Sequence, residues 1–305
     1  MVKIAVVRGN AYEATIKALE LTHFKKFVQK KSNIIIKPNL TNFLKAKDGI
    51  TTDVNIVRAI LDQIPKPENA IVAEGPGGAD ADYAFRVNGY YELERDYGLR
   101  LLDVNKDEYV EVPVNDPLIL KSIKISKTVF NSDFLISVGK LKIHSIAKVT
   151  GTLKNMMGVC PRQQKFKIHS FIPNSLVDLI SLKPPDFGVI DGIVANEIEE
   201  CVPHPVKMGI VLASKDCVAL DTISSEIMGI KALEVPYITE IAKRGFGVTN
   251  IDEINIAGEK IENVRKVFRR GGFNFITNSQ RVICRILFRL GLLDQFFRLV
   301  YKIFR

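Results

Sequence analysis

The chain has 305 residues, 47% of them hydrophobic and 25% charged, with a net charge of +9. This composition excludes a wholly disordered chain and leaves enough apolar material for one large core or two smaller ones. The charge is local, because ten Lys and Arg against the single acid Asp294 lie from Asn263 onward; the neutral remainder argues against a nucleic-acid-binding body.

In chain order, short β-branched runs read as strands at 3–7, 33–38, 70–75, 99–104, 133–138, 186–191 and 208–213. Between them, helical patterns cover Glu13–Val28, Thr52–Gln63, Ala81–Tyr97, Cys217–Met228 and Pro236–Arg244, the second opened by the cap-like pair Thr51–Thr52. Continuous apolar strands alternating with helices predict an α/β fold: a mainly parallel sheet covered by helices, as one lobe or as two with a cleft. Residues 103–126, with Pro113 and Pro117, break the rhythm and read as an inserted hairpin-like element or a lobe seam. The body runs over 1–262.

The remaining 263–305 form a basic tail. After the Gly271–Gly272 break, residues 278–305 predict an amphipathic helix: Arg281, Arg285 and Arg289 recur every fourth position, and Arg298, Lys302 and Arg305 continue the bases among Ile, Leu and Phe. Such a helix suits an anionic membrane surface or a protein partner, or docks on the body with its arginines snorkelling. Cys160, Cys201, Cys217 and Cys284 are widely spaced with no C-x-x-C, so neither a disulfide framework nor a self-contained zinc or iron–sulfur site is written here. The opening MVKIAVVRG is too short for a secretory signal, and no run of about 20 apolar residues occurs. The expected location is cytoplasmic, with the tail able to hold the chain at the inner face of a membrane.

Chemistry concentrates in residues 139–170, where Lys140, Lys142, His144, Lys148, Lys154, Arg162, Lys165, Lys167 and His169 occur without an acid. Unpaired cations this dense repel one another, so they gather on a solvated face or around an anion. Interleaved Gly139, Gly151, Gly158, Thr150, Thr152 and Asn155 favour a pocket for phosphate or carboxylate. The segment should begin where strand 133–138 ends, at the carboxyl edge of the sheet. His144 and His169 offer acid–base or metal-ligand chemistry.

Three further segments bear on the same edge. Lys37, Asn39, Thr41 and Asn42 follow the second strand, and Thr51–Asp53 offers a helix start able to hold an anion or simply to cap. Glu74, Gly75, Gly77, Gly78, Asp80 and Asp82 form a glycine-rich loop that is neither G-x-G-x-x-G nor a Walker loop, so no nucleotide fold follows. Asp191, at a strand end, could orient a lysine, a histidine or a metal-bound water. Asp221, inside an apolar helix start, needs a partner.

IKPNL with TTD downstream, VGKLKIH followed by VTGTLKNMMG, His169, VIDGIVA and the D-x-V-A-x-D element from Asp216 to Asp221 together resemble the uncharacterised family known as domain of unknown function 362, over roughly residues 1–230. That resemblance implies no settled reaction. Many members are fused to ferredoxin-like modules, so it points to an iron–sulfur partner, for which this chain supplies no motif. A more distant resemblance, to nickel-pincer lactate racemases, implies His144 as proton-transfer base, Lys154 as tether of the pincer cofactor and His169 as metal ligand.

The residues therefore predict an enzyme whose cleft binds an anionic small molecule or cofactor through Lys37, Asn39, Lys140, Lys142, Asn155 and Gly158, with His144, Lys154 and Asp191 catalytic, and the racemase resemblance implies His169 on a metal. Racemase-like and redox chemistry both remain open. The alternatives are a redox component working with an iron–sulfur partner and a peripheral membrane or scaffold protein acting through its tail.

Overall fold

The computed structural model describes residues 1–271 apart from 42, 43 and 79, together with 282, 283, 286, 287, 290 and 292. Asn42 and the helix expected over 278–305 thus lie largely outside the described residues. Eleven strands are described: β1 (Val2–Arg8), β2 (Ile34–Lys37), β3 (Ile71–Glu74), β4 (Arg100–Asp103), β5 (Tyr109–Pro113), β6 (Ser122–Ser126), β7 (Phe134–His144), β8 (Lys148–Val149), β9 (Phe187–Asn196), β10 (Pro205–Ser214) and β11 (Ile254–Gly258). Nine form one sheet in the order β11-β1-β10-β9-β7-β2-β3-β4, with β8 added on β7. The pairing is mostly parallel, while β10 runs antiparallel to both neighbours. The fold is α/β.

Successive side chains of a strand point to opposite faces, and here both faces are dry. Ile4, Ile35, Leu135, Ile190 and Leu212 join one apolar cluster, while their neighbours Ala5, Ile34, Ile36, Phe134, Val189 and Val211 join the other. This two-sided burial explains why the strands read as unbroken apolar runs. Helices Ala11–Leu21, Val54–Leu61 and Tyr90–Tyr97 cover the second face, and Asn174–Leu182, Cys217–Ile227 and Pro236–Lys243 the first.

Several predicted elements shift, each for a local reason. The helix expected over Glu13–Val28 is interrupted at His23, whose φ is +57°, and that over Ala81–Tyr97 at Gly89, whose φ is +78°. Asp53, not the Thr51–Thr52 pair, caps helix Val54–Leu61 by accepting from Asn55 N. Thr52 Oγ1 instead accepts from Asn39 N and donates to the Val138 carbonyl, tying the segment after β2 to the middle of β7. Residues 109–126 form the antiparallel pair β5-β6, whose Ile123 and Ile125 pack into the same cluster as the main sheet. Among the described residues no helix is long and apolar enough to cross a membrane.

The largest difference concerns β7, which continues through His144 instead of ending at Val138, with all eleven residues buried. Gly139, Leu141 and Ile143 alternate with Lys140, Lys142 and His144, a period of two that a strand can carry when its polar face has partners. The cations are therefore held by sheet geometry and do not sit on a loop.

Candidate functional site

Strands β2, β3, β7 and β9 run parallel, so their carboxyl ends share one edge. A cavity of about 550 Å³ opens there, lined by Lys37, Asn39 and Thr41 after β2, Glu74–Gly78 after β3, Lys142 and His144 of β7, and Glu200 and Cys201 from the loop joining β9 to β10. Thr150, Lys154, Asn155, Met157, Gly158, Arg162, Lys165, Phe166 and His169 close it from the segment after β7.

The floor is a closed polar network. Lys37 Nζ donates to both Glu74 oxygens at 2.9 and 3.0 Å, to the Pro38 carbonyl and to Asn155 Oδ1. Asn155 Nδ2 donates to the Lys37 carbonyl and Ser137 Oγ, which fixes its amide orientation. Glu74 also accepts from Leu40 N and Gly75 N. Gly158 lies against this pair, and a Cβ there would come within 2.5 Å of Glu74 Oε1 and Lys37 Nζ. Its close approach admits only glycine.

The upper wall carries the excess charge. Lys142 Nζ donates to the Ile50 and Glu200 carbonyls at 2.9 and 3.3 Å, with Thr41 Oγ1 at 3.5 Å. Lys165 Nζ donates to the Gly75 carbonyl and Asn105 Oδ1. Lys154 Nζ makes no hydrogen bond to a described residue. Burial pushes Lys142 down to about 7 and Lys154 and Lys165 to about 8, and neighbouring lysines add to the effect while Glu200 opposes it at Lys142 and Lys154 and Glu74 at Lys165. Five lining side chains are Lys or Arg and two are carboxylates. The field inside the cleft is positive.

Two expected site residues lie elsewhere. Lys140 and Asp191 are fully buried behind the cavity and paired at 2.7 Å. Asp191 lies in the middle of β9, not at its end, and also accepts from Asp53 N and Ile193 N. The helix start at Thr51–Asp53 therefore already holds an anion, the protein's own Asp191. Asp221 finds its partner in helix Gly151–Asn155, accepting from Thr152 N, Thr152 Oγ1 and Leu153 N. It anchors the turn that carries Lys154 and Asn155. In the glycine-rich loop, Asp80 caps helix Ala81–Val87 and Asp82 pairs with Arg86, so among the described loop residues Glu74, Pro76 and the glycines line the cavity and the two aspartates do not.

Glu200 and Cys201 were not singled out from the sequence. The antiparallel return of β10 turns their loop back beside the end of β7, where Glu200 accepts from Ser145 N and Ser145 Oγ. Only the run of acids before Cys201 hints at a role. His144, His169 and Glu200 each bring a ligand atom within 4.8 Å of the others, a donor set with the chemistry of a zinc or nickel site.

The hydrogen bonds of His144 test that chemistry. Its Nδ1 accepts from Ile146 N at 3.1 Å and Ala147 N at 3.2 Å, an arrangement that reverses the chain into β8. In the neutral ring the proton then sits on Nε2, which lies 3.4 Å from Glu200 Oε1. A proton-bearing Nε2 neither coordinates a metal nor abstracts a proton, so His144 does not fit the base role implied by the racemase resemblance. His169, whose ring centroid lies 5.5 Å from that of His144, and Glu200 keep the ligand chemistry. Because one member of the set is misfitted, no step through a nickel pincer follows from this arrangement.

A nine-stranded, mostly parallel sheet with a lysine-rich cleft at its carboxyl edge defines the class: an α/β protein with its main cavity where the parallel strands end. The family model for "Domain of unknown function (DUF362)" matches residues 34–226, more than half of the chain, and the protein belongs to that family. A thylakoid-associated protein of Synechocystis sp. (strain ATCC 27184 / PCC 6803 / Kazusa) is 23% identical over 266 residues, covering 82% of each chain. Among solved structures, the lactate racemase apoprotein from Thermoanaerobacterium thermosaccharolyticum is similar, with a TM-score of 0.53 and 13% identity over 75% of this chain. The match spans 58% of the racemase and is a likeness of fold.

Proposed function

We propose that the protein is an enzyme acting on a small anionic molecule held in the cleft. The observation that carries this reading is Lys154, a cavity-lining ammonium with no hydrogen bond to a described residue, among Lys142, Arg162 and Lys165. This half-buried ammonium is offset only in part by Glu200, and an anionic guest would complete its compensation. With its amine form accessible near pH 8 and no hydrogen bond to a described residue holding it, Lys154 is also able to add to a carbonyl carbon or to move a proton. Isothermal titration with inorganic phosphate and a panel of small carboxylates tests the reading. The expected result is saturable binding of at least one anion, weakened about tenfold or more in Lys154→Met; no binding of any anion by the wild-type protein sinks it.

A second reading concerns location. The bases and apolar residues over 278–305, and a relative named for its association with thylakoids, support attachment to an anionic membrane surface. Co-sedimentation with phosphatidylglycerol vesicles should be lost when 278–305 are deleted, while anion binding in the cleft persists. Undiminished co-sedimentation of the truncated chain removes this reading.

A further inference from the structure

Two buried polar atoms of residues that line the cavity lack partners, and the orientation of one follows from a chain of hydrogen bonds. The Lys37 carbonyl can only accept, so Asn155 presents its Nδ2 there and its Oδ1 elsewhere. Asn155 Oδ1 can only accept, so Asn39 gives it Nδ2, at 3.0 Å. Asn39 Oδ1 is then left as a fixed acceptor, buried and without a partner in a residue that lines the cavity. Thr150 Oγ1, on the same cavity, is likewise buried and unpartnered. Buried groups of this kind are rare because each costs about 1–3 kcal/mol.

Resting on the anion reading above, we infer that the anion also carries a hydrogen-bond donor, a hydroxyl or amino group, that is received by Asn39 Oδ1, with Thr150 Oγ1 as a second contact. The lysines supply affinity for the charge, which any small anion satisfies. Asn39 adds selectivity, because an acceptor rejects a guest that presents only oxygen lone pairs. A site that holds a donor discriminates strongly against the analogue lacking it, since the acceptor would stay unpaired. The chemical class is thus a hydroxylated or aminated carboxylate or phosphate ester, not a bare anion.

The test uses the full chain and matched pairs that differ by one donor: succinate with malate and with aspartate, and propionate with lactate and with alanine. Isothermal titration should show the donor-bearing member of at least one pair binding about tenfold or more tightly. That preference should narrow in Asn39→Leu, and also in Thr150→Val, a near-isosteric change that keeps the fold should Asn39→Leu loosen Asn155. Equal affinity of both members in every pair overturns this inference and leaves the anion reading standing; binding of no anion overturns both.

Discussion

Lys140 and Lys142 are two residues apart on one face of β7, yet they live in opposite circumstances. Lys140 is sealed in the interior against Asp191, whose other contacts hold the start of a helix and the bulged join between β7 and β9. Among the described residues Lys142 hydrogen-bonds only to carbonyl oxygens and a hydroxyl, and it shares a cavity with Lys154, whose charge acts on it. A charge matched by an opposite charge in a dry interior is part of the scaffold; one held by neutral groups beside open volume is, in the proposed reading, available to a guest. Residue type and spacing do not separate these cases, and the identity of the facing group does.

The comparison breaks most readily at its buried end. Lys140→Met leaves Asp191 as an uncompensated interior carboxylate, and urea denaturation should record a loss of about 3–5 kcal/mol. Gly158→Ala forces a methyl group against Glu74 and Lys37 at 2.5 Å, and the same measurement should give a loss of about 1–3 kcal/mol. Lys154→Met should leave stability unchanged or slightly improved while it removes phosphate affinity. A Lys154→Met protein as unstable as Lys140→Met would erase the distinction between scaffold and site.

Titration sharpens the comparison. The ammoniums of Lys154 and Lys165 have folded values of about 8, below their usual 10.5. Between these limits the unfolded chain binds more protons than the folded one, so their contribution makes the ligand-free protein more stable as pH rises from about 8 to 10.5. Phosphate affinity should move the other way, falling above pH 8 as the same groups lose charge. Calorimetry and denaturation over one pH series would show the opposed slopes, and parallel slopes would contradict the placement of these lysines. The smallest signal is a single proton: nitrogen spectra of histidine-labelled protein should show His144 protonated at Nε2 and bare at Nδ1, unaltered by added zinc. Protonation at Nδ1 would restore His144 as a metal ligand.

Much of this was legible from residues alone. All seven strands expected from apolar runs are present, and Lys37, Asn39, Lys142, His144, Lys154, Asn155, Gly158 and His169 meet at one cavity. What escaped depended on pairing between distant segments. The extension of β7 was hidden because lysine rarely belongs to a buried strand, although the alternation of Gly139, Leu141 and Ile143 with Lys140, Lys142 and His144 carries the signal. Helices Gly151–Asn155 and Arg162–Ser170 were missed because glycines and charges mask their period, and the first is anchored by Asp221 from far along the chain. Glu200 is positioned by the reversed direction of β10, which no local pattern announces.

A Cβ on Gly139 would lie 2.3 Å from the carbonyl oxygen of Gly151, and one on Gly151 would collide with Asp221. Strand and helix are thus clamped backbone to backbone below the level at which Lys142 and Lys154 project. Side chains above such a clamp can be exchanged while the main chain keeps its course. A protein engineer reshaping the cleft should therefore leave those two glycines alone and mutate outward from them.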